Sequence, residues 1–284
     1  MPEVVTNAKI APQTFRMDVS APEIARTRKS GQFVLVRASK TGERIPLTIA
    51  DAESRRGVVT LIYQVVGKTT ALLSMIGDGG ELHDIAGPLG QPTHIENFGT
   101  AVCIGGGIGI APVHPIAQAL KAAGNRVISI LGARGKDFVI LEDEMRRTSD
   151  EVIVTTDDGS YGAKGFVTDA LRNLIDSGVK PDLVVAIGPA IMMKMVAKAT
   201  EPYGVKTIVS LNTVMVDGTG MCGGCRVTIG GETKFVCVDG PEFDGHLVDF
   251  DEMMKRQSMY VDQERQAYDE FRTGCRLGDV FTKP

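Results

Sequence analysis

Hydrophobic residues change their spacing twice along this chain, and those changes divide it. Up to residue 97 they fall in short runs of alternating or β-branched character: Gln32-Phe33-Val34-Leu35-Val36, Pro46-Leu47-Thr48-Ile49-Ala50, and Gly57-Val58-Val59-Thr60-Leu61-Ile62-Tyr63-Gln64-Val65-Val66. Such runs, punctuated by glycines and charges, predict strands of a small antiparallel barrel. Only Thr69 to Met75 has helical spacing in that region. From Phe98 the rhythm becomes short apolar segments at Ala101–Ile104, Val127–Leu131, Glu151–Thr155, Leu183–Ile187 and Val205–Ser210. Amphipathic stretches near 112–123, 140–147, 165–177 and 190–201 separate them. That alternation predicts a parallel five-stranded, doubly wound sheet. Residues 211–245, with eight glycines and three cysteines, have neither period. A ligand must organise such a segment. From Asp249 to Phe271 the spacing is helical again, and a helix covering the body and an arm for another subunit both fit it. The expected fold is therefore a β-barrel plus α/β, with the barrel over 1–97 and the parallel domain over 98–210. A cysteine loop over 211–248 and a helical tail over 249–284 complete it.

Composition removes several classes of function. With 284 residues, 43% of them apolar and 23% charged, the chain is an ordinary globular protein long enough for more than one folding unit. Its 31 basic and 35 acidic residues leave a net charge of -4, so nothing argues for nucleic acid or an anionic membrane surface. Met1-Pro2-Glu3-Val4-Val5 has none of the charged-then-apolar order of a secretory signal. No run approaches the ~20 apolar residues of a membrane span. A cytoplasmic protein is expected. His83, His94, His114 and His246 form no triad or metal spacing, and no serine sits in a nucleophile elbow, so hydrolysis has no support.

The first α/β strand runs straight into Gly105-Gly106-Gly107-Ile108-Gly109-Ile110-Ala111-Pro112. Glycines let a backbone approach a pyrophosphate, and proline suits a first helical turn, so Gly106, Gly107, Ile108 and Gly109 are candidate dinucleotide contacts. The spacing is not G-x-G-x-x-G, and no acid follows the second strand to hold a ribose. Arg134 stands there instead, a candidate for cofactor choice or a solvated loop charge. Asp158, in Thr155-Thr156-Asp157-Asp158-Gly159-Ser160, and Gly188, Pro189 and Met192 follow two further strands. The carboxyl ends of parallel strands are where ligands bind, though plain turns explain both segments equally.

In the barrel, Arg44-Ile45-Pro46-Leu47-Thr48 closes one predicted strand, and Tyr63 and Val65-Val66-Gly67-Lys68-Thr69-Thr70 end another. Gly87-Pro88-Leu89 follows. A flavin needs donors for its phosphates, a donor toward N5 and apolar surface against its ring. Arg44, Lys68, Thr48 and Thr70 have those groups, with Pro46, Leu47, Tyr63, Val65, Val66, Gly67, Thr69, Gly87, Pro88 and Leu89 around them. Lys68-Thr69-Thr70 also reads as a helix start with a hydroxyl cap.

Of five cysteines, Cys222, Cys225 and Cys237 lie close together, while Cys103 and Cys275 stand alone as packing or incidental residues. With Asp217 in front, the spacing is D-x4-C-x2-C-x11-C, close to the C-x4-C-x2-C…C of plant-type [2Fe-2S] ligation. Glycines around it let amides turn toward sulfur. One aspartate and three cysteines also suit zinc, unligated cysteines remain open, and Asp217 reads equally as an Asp-Gly turn. If Asp217 ligates iron, it donates less electron density than a thiolate, and the cluster potential should exceed that of an all-cysteine site.

Barrel, glycine turn and cysteine loop in this order resemble the ferredoxin-NADP reductase superfamily, in its branch with a C-terminal [2Fe-2S] loop. The likeness runs through Arg44-Ile45-Pro46-Leu47-Thr48, Gly105 to Pro112, Asp157-Asp158-Gly159-Ser160-Tyr161-Gly162 and the cysteine loop. Two relatives compete: the electron-transfer subunit of dihydroorotate dehydrogenase, with four cysteines, and the small subunit of the electron-bifurcating NADH-dependent ferredoxin:NADP oxidoreductase, also called the sulfide dehydrogenase beta subunit. Asp217 tips the comparison to the second, where the equivalent aspartate ligates iron. The resemblance implies FAD, one [2Fe-2S] cluster and NADH or NADPH, with Thr48 hydrogen-bonding near flavin N5. It also implies a large flavin and iron-sulfur partner subunit that serves ferredoxin. The chain departs from the superfamily at two places: no tyrosine lies between Arg44 and Thr48, and Ile187-Gly188-Pro189 replaces C-G-P.

Overall fold

The structure is a computed structural model that describes residues 1–274; Cys275 and the end of the tail lie outside the described residues. Six strands make the first sheet: β1 (Val4–Ala11), β2 (Thr14–Ser20), β3 (Phe33–Arg37), β4 (Arg44–Glu53), β5 (Val58–Gln64) and β6 (Asp84–Leu89). Their order is β1-β2-β5-β4-β3-β6, every pair antiparallel. Three hairpin-linked strands with β2 returning beside β5 form a Greek key. The bridge between Glu3 and Glu81 brings the two edges together and closes the barrel. Its interior is apolar, with Val4, Met17, Val19, Val34, Val36, Val59 and Leu61 at 0% exposure. Two short helices, α1 (Pro22–Thr27) and α2 (Lys68–Ser74), lie between its strands. The sequence pattern showed only α2.

The second sheet follows the expected alternation. It consists of β7 (Thr100–Gly106), α3 (Ile110–Ala122), β8 (Arg126–Ala133), α4 (Glu142–Thr148), β9 (Glu151–Thr156), β10 (Ala163–Lys164), α5 (Val167–Asp176), β11 (Leu183–Ile187), α6 (Ala190–Thr200) and β12 (Lys206–Ser210). The five expected strands are all parallel and stand in the order β9-β8-β7-β11-β12. Chain order reverses at β7, so the crevice between β7 and β11 is the switch point where such sheets bind ligands. The sheet has seven strands rather than five. Two-residue β10 extends one edge, and β15 (Glu242–Asp244), which comes after the cysteine loop, pairs antiparallel with β12 on the other.

Between β12 and β15 lie the loop, a hairpin of β13 (Arg226–Ile229) and β14 (Glu232–Phe235), and a helical turn, α7 (Val236–Asp239). The tail is two helices, α8 (Phe250–Gln257) and α9 (Val261–Gly274). Asp249 caps the first by accepting the Glu252 N–H at 2.9 Å. Lys194 on α6 reaches Asp251 at 2.6 Å, and Tyr268 and Phe271 of α9 lie against the barrel core. Among the described residues no helix is long and apolar enough to cross a membrane.

Candidate functional site

Strand alternation decides which barrel residues can face a ligand. Ile45 and Leu47 pack into the barrel core, so Arg44, Pro46 and Thr48 point the other way. They stand opposite Arg37, Leu35 and Phe33 of β3, and Phe33 and Leu35 belong to the core shared with the parallel sheet. The face carrying Arg44, Pro46 and Thr48 therefore looks toward the second unit. Arg44 is held by Asp84 at 2.9 Å. The start of α2 lies beside it, because the Thr69 hydroxyl donates to Glu43 at 3.4 Å.

Several expected flavin contacts are placed elsewhere. The Leu47 side chain points into the barrel, leaving only its backbone on the ligand face. Tyr63 is 1% exposed, stacks on Phe15 at 5.8 Å and donates to Asn7 at 3.1 Å. It is a core residue whose hydroxyl already has a partner, and Val65 is buried as well. Thr70 accepts the N–H groups of Val66 and Gly67 at 3.0 and 3.1 Å. Its hydroxyl is thus the helix cap that the sequence also allowed. Val66, Gly67 and Lys68 remain accessible, as do Gly87, Pro88 and Leu89 in part, on the strand next to β3.

The glycine turn is shaped by lack of room. A Cβ on Gly109 would overlap the Ile187 carbonyl, and one on Gly106 would overlap the Met192 sulfur. Gly107 turns with φ +56°, and Ile108 follows it into α3. The turn, Gly188, Pro189 and Met192 thus converge on the switch point between β7 and β11. Farther along the same sheet edge, Arg134 lies over the Phe138 ring at 4.5 Å. Asp158 accepts the Ser160 N–H and hydroxyl at 2.9 and 2.6 Å, and these bonds hold its carboxyl below the usual range. Its carboxylate is committed to its own turn, while its N–H donates to the Arg134 carbonyl at 3.3 Å. Thr155, three residues before it, is a buried hydroxyl with no partner among the described residues.

The cysteine loop brings its four candidate ligands together as two pairs. Cys225 and Cys237, both buried, have sulfurs 3.2 Å apart. Asp217 accepts the N–H groups of Cys222 and Thr219 at 2.8 and 3.0 Å, an Asx turn that lowers its carboxyl pKa. Among the described residues no three His, Cys, Asp or Glu side chains converge on one point. A mononuclear zinc site needs four ligands on one ion, whereas two pairs match the two irons of a binuclear cluster. Further support for that fit comes from amides aimed at sulfur: Gly224 N–H at Cys222 and Cys237 N–H at Cys225, each 3.4 Å. Burial, then the neighbouring Cys225, pushes the Cys237 thiol up to about 12, so iron binding there would have to displace the thiol proton.

Contacts between the units carried no sequence signal. A Cβ on Gly218 would meet Leu35 of β3 and Leu89 of β6 at 2.8 and 2.9 Å, so the cysteine loop sits directly on the barrel. Gln91 donates to the carbonyls of Gly240 and Val238 at 2.6 and 2.8 Å. Cys103 is a fully buried strand residue, as expected.

Two family models match the chain. An oxidoreductase NAD-binding domain covers residues 103–198, and the iron-sulfur cluster binding domain of dihydroorotate dehydrogenase B covers 212–249. A Thermotoga maritima homolog of the dihydroorotate dehydrogenase B electron transfer subunit is 49% identical over 95% of both chains. The Fusobacterium nucleatum dihydroorotate dehydrogenase B electron transfer subunit is 33% identical over 84% of this chain and 94% of its own. A chain in the solved NADH-dependent reduced ferredoxin-NADP oxidoreductase, described for flavin-based electron bifurcation, superposes with a TM-score of 0.91. It is 48% identical, over 95% of this chain and 98% of that one. The Amycolatopsis cytochrome P450 reductase GcoB, 24% identical with a TM-score of 0.60, shares the fold.

Proposed function

The chain belongs to the family of dihydroorotate dehydrogenase B electron-transfer subunits, and from that membership we propose that it is the NADH-linked subunit of a ferredoxin:NADP oxidoreductase complex. It is an oxidoreductase subunit of the electron-transfer kind. The proposal assigns it FAD, a [2Fe-2S] cluster and NADH. FAD supplies the conversion of a two-electron hydride into single electrons, and the cluster passes them on one at a time.

The chain's own residues divide the work. Arg44 and the accessible start of α2 at Lys68 would meet the flavin phosphates, Pro46 would give apolar surface, and Thr48 would offer a hydroxyl toward N5. Gly106 to Gly109 admit the pyrophosphate, with Gly188, Pro189 and Met192 bordering the nicotinamide crevice and Arg134 at the adenosine end. Asp217 and Cys222 would hold one iron of the cluster, and Cys225 and Cys237 would hold the other. A larger catalytic subunit receives the electrons.

One observation carries this reading. The cysteine loop rests at Gly218 on Leu35 and Leu89, and Leu35 lies directly opposite Pro46 on the flavin-facing strand. On this reading one strand lies between the flavin and the cluster, a short route for an electron. Anaerobic addition of NADH to the purified chain should bleach the flavin and produce the paramagnetic signal of a reduced binuclear cluster. A colourless, zinc-containing chain that ignores NADH would refute the proposal. The dihydroorotate reading is favoured by the family model over 212–249; it requires that the co-purifying large subunit oxidise dihydroorotate.

A further inference from the structure

We infer that Arg256 is a positioning residue for the cluster: from the tail it grips the peptide between Gly224 and Cys225, and it raises the potential at which the site accepts an electron. The inference rests on the cluster reading above and adds to it a residue outside the loop.

Helix α8 carries the grip. Its Met253 is buried in the core that also holds Cys225 and Cys237. Arg256 and Gln257 stand three and four positions beyond Met253, so they share its face of the helix. That face ties down the loop at both ends. Gln257 donates to the carbonyl of Asn212, where the loop begins, and the Arg256 Nη2 donates to the carbonyl of Gly224 at 3.2 Å. The helix itself is moored elsewhere. The Asp249 N–H donates to the Thr228 carbonyl at 2.9 Å, and Asp251 pairs with Lys194.

Two consecutive peptides of the loop display what such a grip does. Both are trans, and a planar trans peptide sets its N–H opposite its carbonyl. In the first, the Gly223 carbonyl accepts from Arg226 Nη1 at 3.2 Å, while the Gly224 N–H on the far side faces Cys222 Sγ at 3.4 Å. An arginine holds the oxygen, and a candidate ligand sulfur takes the amide. In the second, Arg256 holds the Gly224 carbonyl, so the Cys225 N–H is turned away from α8. Cys225 is 1% exposed, and among the described residues its N–H makes no hydrogen bond. A buried amide needs an acceptor, and the sulfur of a cluster bound at Cys225 would supply one.

Charge and polarisation act in the same direction. A hydrogen bond to a carbonyl strengthens the N–H of the same peptide as a donor. Reduction brings one electron from the flavin, and with it one negative charge beside that amide. Amide donors and a nearby guanidinium favour the more negative state, which raises the potential. Arg226, Arg256 and Cys222 line one cavity of about 430 Å³. Arg256 is the less exposed of the two cations, and its charge is the less screened by water and salt.

The test is a potentiometric titration of the full chain, loaded with FAD and cluster and followed by the paramagnetic signal of the cluster. Electron-nuclear double resonance of the reduced cluster, compared in water and deuterium oxide, reads the exchangeable amide protons beside it. Arg256→Met should lower the potential and weaken one exchangeable-proton coupling, with FAD content unchanged. Arg256→Gln, a shorter and uncharged donor, should lower the potential less, and it serves if the methionine variant binds no cluster. Asp251→Ala, which frees α8 from Lys194 without touching the loop, should change neither reading. A wild-type potential or an unchanged coupling in Arg256→Met overturns the inference, as does a wild-type potential in Arg256→Gln where the methionine variant is empty. An equal fall in Asp251→Ala also overturns it, by assigning the effect to the seating of the helix. A wild-type chain without any binuclear signal overturns instead the cluster reading on which the inference stands.

Discussion

In the parallel sheet glycine is present for lack of room, whereas in the cysteine loop it is present for backbone direction. Gly109 has an ordinary φ of -63° and is excluded from having a side chain by the Ile187 carbonyl. Gly220 has φ +84°, a left-handed conformation that other residues avoid, with its nearest neighbour, Val238, 3.1 Å from where a Cβ would stand. The contrast extends to what holds each region. Val102, Ile104, Ile128, Ile130 and Val184 are fully buried, as strands covered by helices on both faces must be. The loop between Asp217 and Cys225 has no regular structure, and Met221 within it is 89% exposed. Burial shapes the sheet, and the loop depends on what its sulfurs bind.

The largest effect should come from removing one sulfur. Cys225→Ser takes away half of the buried Cys225–Cys237 pair, and the expected result is complete loss of the cluster, read from visible absorbance and paramagnetic resonance. Because the sheets have their own cores, far-ultraviolet circular dichroism and FAD content should stay at wild-type values. Collapse of the whole chain would show that the loop supports the sheets, contrary to the comparison.

Gly109→Ala should act in the opposite way. The added methyl meets backbone at the switch point, which cannot rotate aside, and overpacking of this kind costs about 1–3 kcal/mol. Thermal stability should fall accordingly, and NADH affinity should weaken because the turn that admits the pyrophosphate is pushed away from the Ile187 carbonyl. The cluster spectrum should not change. Gly77→Ala, at a position with nothing within 4 Å of the added carbon, is the matched control, and isothermal binding of NADH measures both.

These two regions also differ in how far they can be read from sequence. The parallel strands are legible because continuous burial writes them as apolar runs; Leu183–Ile187 has the same bounds in pattern and in structure. Spacing likewise exposes the cysteines, since metal ligation fixes residue type and interval. Strand β1 was missed because most of its residues are half-exposed or exposed, which erases the alternation. Tyr63 was assigned to the flavin because a run of apolar residues hides which of them point inward. Glu242 and Thr93 are 149 positions apart, and only closure of the fold makes them neighbours. The helical turn carrying Cys237 follows from a packed hairpin, not from a helical period.

The smallest expected effect concerns the joint between the parallel unit and the barrel, where protons rather than metal set the balance. His114 on α3 is 5% exposed, and its ring lies beside the backbone of Ala50 on β4. Burial lowers its pKa from 6.5, against the opposing pull of Asp51, the Ala50 backbone and Glu144, while Arg147 adds to the lowering. The unfolded chain therefore binds this proton more readily than the folded one. The contribution of His114 to stability is whole above pH 6.5 and is lost as pH falls through the folded-state value. Glu242 acts in the opposite sense over an overlapping window, because a carboxyl raised to about 7 disfavours the folded state as it ionises. The informative quantity is thus the difference in Tm between wild type and His114→Gln, which keeps a polar N–H group beside Ala50 but cannot take a proton. That difference should shift in favour of the glutamine variant below pH 6.5 and be constant above it. A difference that stays constant across the acid range would mean that the joint tolerates a charged imidazole, and that the barrel grips the parallel unit more loosely than the buried ring implies.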